Sequence, residues 1–185
     1  MATIRILLGI LCTAFAGSIG MFDGPLLEQP RVKERILRST IVHLANIEIG
    51  TMEKTGHNDG GQIERYLATV HLKRGQPYCA AFISWVFSKA GLPKPRSGWS
   101  PDMFPPSRIS KLALPANLLG IYFPEYGRIA HVGLIAGTKD DWVISVEGNT
   151  NVNGSRNGGG VYRKWRQIRT IYKIADWVSE RRGGP

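Results

Sequence analysis

The chain has 185 residues, enough for one domain of ordinary size around a single core. Hydrophobic residues at 43% and charged residues at 21% are globular proportions and exclude wholesale disorder. A formal net charge of +10 favours polyanionic surroundings (nucleic acid, anionic lipid or an acidic cell-wall polymer), and charge alone does not choose among them.

Residues 1–16 have the parts of a secretory signal peptide: Arg5 as a basic start, an apolar stretch from Ile6 to Ala16, and small Ala14 and Ala16 before a cleavage site. The stretch is too short for a transmembrane helix, and the alternative is a helix kept in the mature fold. No second segment is apolar for long enough to cross a membrane, and Leu11 before Cys12 makes a poor lipoprotein signal. Cleavage removes Cys12 and leaves Cys79 without an internal disulfide partner, either a buried bystander or a reactive thiol. Export also argues against nucleic acid. Residues 17–30 mix Gly, Pro and apolar side chains without a period and read as a leader segment.

From Arg31 to Ala45 the stripe of Val32, Ile36, Ile41 and Leu44 predicts a helix. "KTGHNDGG" (Lys54 to Gly61) reads as a turn-rich loop and Gln62 to Val70 as a short helix. In "GQPYCAAFISWVFSKAGLP" (Gly75 to Pro93), Pro77 suits a helix entry, Ala80 to Ala90 is apolar on almost every face, and Gly91 and Pro93 end the helix. Cys79 thus stands at the first turn of a central helix, where unpaired N–H groups and the helix dipole favour thiolate. Lys94 to Pro106 is a Pro, Ser and Gly-rich connection in which "SPDMF" could form a helical turn.

Beyond it the period changes to that of strands, over Leu118 to Phe123, Ala130 to Gly137, Asp141 to Asn149 and Gly160 to Ile174. "GTKDD" makes a tight turn between the second and third, so neighbours are antiparallel. Helices first and an antiparallel sheet second is an α+β layout, one domain over 31–178 with a flexible tail at 179–185.

A cysteine nucleophile needs a base, and the base needs an orienting group. Of His43, His57, His71 and His131, only His131 begins an apolar strand. Alternation in "VISVEGNTN" puts Ser145, Glu147 and Asn149 on one face, and the turn near Asp140 brings Glu147 or Asn149 beside His131. Either would fix the imidazole tautomer and hold it toward Cys79. "HNDGGQIE" lacks the acidic spacing of a calcium loop, and Gly154 to Gly160 lacks the ending of a phosphate cradle, so no metal or cofactor is expected.

Three motifs in this order, "GQPYCAAFISWVFSKAG", "HVGLIAG" and "EGNTN", resemble the CHAP family of cell-wall amidases and endopeptidases, relatives of the NlpC/P60 peptidases in the papain-like superfamily. The resemblance spans about Glu53 to Arg169 and includes the downstream "GGGVYRKWR". It implies a papain-like fold, Cys79 as nucleophile, His131 as general base, Glu147 as orienting group and Asn149 as a second polar partner. Many relatives carry Gly-Asp before the His strand, where this chain has "LLGIYFPEYGRIAH".

The reaction implied is acyl transfer from an amide of peptidoglycan or a muropeptide. The Cys79 backbone N–H is the first oxyanion donor. Gln76 or Tyr78 is a candidate for the second, although Gln76 could equally be a helix-entry contact. Neither nucleic acid nor stable membrane insertion is expected; a cognate inhibitor or immunity protein is a partner compatible with such an enzyme. The alternative is a non-catalytic wall-binding module of the same fold. Lys164, Arg166, Arg169 and Lys173 are expected to form a separate basic surface that docks on the wall.

Overall fold

The structure is a computed structural model that describes residues 28–153 and 158–180, with side chains from residue 31 onward. The expected signal peptide, Cys12, the leader up to residue 27, most of the Gly-rich loop and residues 181–185 lie outside the described residues.

The described chain is α+β: three helices, α1 (Glu28–Asn46), α2 (Gly61–Thr69) and α3 (Cys79–Lys89), precede most of a six-stranded antiparallel sheet. The strands are β1 (Ile109–Ser110), β2 (Leu118–Phe123), β3 (Arg128–Lys139), β4 (Trp142–Thr150), β5 (Gly160–Gln167) and β6 (Lys173–Ala175), ordered β1-β6-β2-β3-β4-β5. No described helix is long and apolar enough to cross a membrane.

α3 is the hub because its sequence leaves no polar face: every residue from Cys79 to Phe87 is buried. Phe82 and Trp85 pack edge-on against Tyr66 of α2, with ring centroids 5.3 and 5.2 Å away. Alternation along the sheet sends Val132, Leu134 and Val146 into this helix-facing core. Ile135 and Val143 go instead to a smaller cluster with Leu119 and Ile174. Gly148 lets β4 approach α3 closely, since a Cβ there would lie 3.0 Å from Cβ of Phe82.

Three expectations are corrected. The first helix starts at Glu28, so the last three residues assigned to the leader are helical. The run from Gly160 to Ile174 is not one strand: a helical turn at Ile168–Thr170 ends β5, and β6 crosses to pair with β1 and β2. Ile174 thereby fills the small cluster, a tertiary demand invisible to local periodicity. Ser179, placed in the tail, donates its hydroxyl to Asp176 and Glu34 at 2.7 and 3.1 Å. The helical turn within "SPDMF" is present at Ser100–Met103.

Candidate active site

Tyr78 caps α3 with non-helical backbone, and Cys79 is the first helical residue, 5% exposed. Its Sγ lies 3.3 Å from Oγ of Ser100, carried in by the turn at Ser100–Met103. His131 arrives from β3. Ile121 pairs with His131 but Tyr122 pairs with Ile129, so Ala130 is an extra residue bulged out just before the histidine. Such a bulge kinks the strand and re-aims the side chain that follows. His131 is 1% exposed, whereas His43, His57 and His71 are all exposed.

The β3–β4 hairpin pairs Leu134 with Val146, which carries Glu147 alongside Gly133. From there the carboxylate reaches diagonally to His131, Oε2 to Nε2, at 2.8 Å. Gly133 is required for this crossing, because a Cβ there would sit 2.6 Å from Cγ of Glu147. The Glu147 carboxylate is wholly buried and accepts four hydrogen bonds. Ser145 Oγ and Arg166 Nε donate to Oε1 at 2.6 Å each; His131 Nε2 and Arg166 Nη2 donate to Oε2 at 2.8 and 2.6 Å. That set fills the acceptor capacity of a carboxylate. It also fixes the tautomer, since Nε2 must carry a proton to bond a carboxylate. Nδ1 is buried and makes no hydrogen bond, which leaves it as the imidazole nitrogen available to Cys79.

Charges follow the geometry. Burial pushes the Cys79 thiol up, but the His131 side chain, the Ser100 hydroxyl and the Val132 main chain together hold it below its ordinary value. Burial disfavours the imidazolium, yet Cys79 and Glu147 raise His131 to about 9. Burial of Glu147 is outweighed by Arg166 and His131, which keep it ionised well below the usual carboxylate range. Each shift thus favours the charged form of its group: thiolate, imidazolium, carboxylate and, at Arg166, guanidinium.

Cys79 opens onto a cleft of about 200 Å³ lined also by Gln76, Pro77, Trp99, Ser100, Arg128 and Ala130. Gln76, the candidate second oxyanion donor, thus lines the cleft onto which the thiol opens. Tyr78 is instead fully buried; Glu53 and the Asn149 main chain act on its hydroxyl from within the fold. Asn149 is also buried, but its backbone is left-handed (φ 57°) at a β4–β5 irregularity, so the strand alternation that would align it with Glu147 ends there. A larger depression of about 390 Å³ on α1, lined by Val32, Arg35, Ile36, Ser39 and Thr40, shares no residue with the cleft.

The structure thus brings Cys79, His131 and Glu147 together. It adds Ser100, Ser145 and Arg166. Arg166 was assigned to a docking surface, but its side chain is 16% exposed and bound to Glu147. Lys164, from the same assigned surface, donates to the carbonyls of Asn151 and Val152 at 2.9 and 2.5 Å. Arg169 and Lys173 are exposed. Among the described residues, no group of three His, Cys, Asp or Glu side chains is placed to hold a metal. Compared with known protein families, curated proteins and solved structures, the chain finds no match in any of the three.

Proposed function

We propose that this chain is a cysteine hydrolase that cleaves an amide bond in peptidoglycan, acting outside the membrane after loss of its N-terminal signal, with a papain-like arrangement of helix and sheet. One observation carries the enzymatic part of this reading. A helix-start cysteine is buried against a histidine whose far nitrogen is anchored 2.8 Å from a carboxylate, while its near nitrogen has no other bond. An idle binding module has no need to keep a buried thiol, imidazole and carboxylate in that order. The substrate and location rest on the sequence motifs and on the apolar, basic-headed N-terminus.

The chemistry follows from the proton positions. The Cys79 thiolate attacks the amide carbonyl carbon, and negative charge moves to the carbonyl oxygen. The Cys79 backbone N–H and the Gln76 side chain are the donors proposed to receive it, each worth roughly 2.7–4 kcal/mol in a preorganised site. As the C–N bond breaks, the departing nitrogen takes the proton from Nδ1 of His131 and leaves as an amine. The neutral Nδ1 then removes a proton from water, whose oxygen attacks the thioester. The C–S bond breaks, a carboxylic acid leaves, and thiolate and imidazolium are restored. Glu147 keeps the ring oriented through both halves, and Arg166 keeps Glu147 ionised.

Purified sacculi incubated with the protein should release soluble fragments bearing one new amine and one new carboxyl end, identified by mass spectrometry. Cys79→Ala should release none while keeping its fold. Normal digestion by Cys79→Ala would remove the thiol from the chemistry and sink the proposal.

A further inference from the structure

Arg128 opens β3, three residues before His131, and lines the same cleft as Cys79. Its guanidinium carbon lies 3.8 Å from the centroid of the Trp99 ring and 5.6 Å from that of Tyr126. Nη1 donates to the Ile129 carbonyl at 3.1 Å. The stack and this bond fix the plane of the fork, and a fixed fork loses little freedom when it binds. Among the described residues Arg128 forms no ion pair. Arg166 is engaged by Glu147 and Lys164 by two carbonyls, and neither lines the cleft. Arg128 is left as a preorganised, half-buried cation with free N–H donors beside a nucleophile.

We infer that the cleft takes an amide substrate carrying a carboxylate close to the scissile bond, and that Arg128, stacked on Trp99, is the residue that selects it. The inference rests on the proposed role of Cys79 as nucleophile and adds the chemical class of the group seated beside it. A planar guanidinium pairs bidentately with a carboxylate, whereas a carboxamide offers only one acceptor oxygen and turns an N–H₂ group toward a donor.

Two small alkylating reagents isolate this selection, because iodoacetate and iodoacetamide differ only in carboxylate against carboxamide. With either, Cys79 Sγ forms a bond to the methylene carbon as the C–I bond breaks and iodide leaves with the electron pair. Rates are measured on the full chain at pH 7 and divided by those of a small free thiol. The wild type should favour iodoacetate by roughly tenfold. His131 adds its own charge to that preference, so the comparison that decides is between variants. Arg128→Gln should bring the ratio down severalfold, and Arg128→Lys should retain most of it. Trp99→Leu, which leaves the charge but removes its platform, should fall between them. An unchanged ratio in both Arg128→Gln and Trp99→Leu, with Cys79 still fast toward both reagents, would overturn the role of Arg128 and leave the nucleophile standing. A Cys79 no faster than a free thiol toward either reagent would overturn the nucleophile, and the selection with it.

Discussion

At the scale of single residues, Glu147 sets the electrical state of the site. His131 is raised from 6.5 to about 9 despite burial because Cys79 and Glu147 both stabilise its proton. In the proposed reaction the imidazolium supplies the leaving-group proton, so hydrolysis should fall as pH rises through about 9. Linkage gives the matching stability terms. His131, raised in the folded state, contributes stability that is complete below 6.5 and lost as pH rises through about 9. Glu147, depressed in the folded state, contributes stability present above 4.5 and lost only in strong acid. Glu147→Gln removes the charge that holds His131 up and presents an N–H₂ group to a donor. Its alkaline limb should therefore move below 9, with a rate loss of about 10²-fold; a pH–rate profile of the variant reads both. Cys79, His131 and Glu147 were legible because each type is unusual where it stands. Arg166 was not, since one arginine in "YRKWR" looks like the next. Only the pairing of Arg166 with Val143 puts it on the face of Glu147.

At the scale of elements, the site depends on where strands stop being regular. The bulge at Ala130 aims His131, and the bare Cα of Gly133 lets Glu147 lie across its neighbour strand. Gly133→Ala would press a methyl group against Cγ, near the root of the side chain, where rotation gives no escape. It should cost at least 10-fold in hydrolysis through loss of the 2.8 Å His131 contact, while the helix content seen by circular dichroism stays native. A wild-type rate in Gly133→Ala would show that Glu147 need not cross there. The helices and the strands β2 to β4 were readable from period and turn residues. β6 was not, because its three residues continue the alternation of β5 in sequence and abandon it in space.

Across the whole molecule, Arg38 binds the beginning of the described chain to its end. It is 7% exposed and donates to Glu34, the Pro115 carbonyl, Asn117, Asp176 and Ser179 at 2.8 to 2.9 Å. Nothing in the helical stripe of α1 marks this arginine off from Arg31 or Arg35; its partners lie up to 141 residues away. Arg38→Met leaves Asp176 and Asn117 without their buried donor and should cost about 3–5 kcal/mol in urea unfolding. The native Cys79 alkylation rate should stay at its wild-type value in this variant, since no Arg38 contact reaches the cleft.

The position of β6 between β1 and β2 has a consequence for how the protein is made. A ribosome delivers the chain from its N-terminus, so the strand that completes the middle of one half of the sheet emerges after the other five. Until residues 173–175 are free, β1 has no strand to pair with and Leu119 lacks Ile174 across the sheet. The thiol and its histidine are synthesised long before the molecule that holds them can close. Synthesis of β6 thus sets the earliest moment at which this half of the sheet can close, however early its other strands are made.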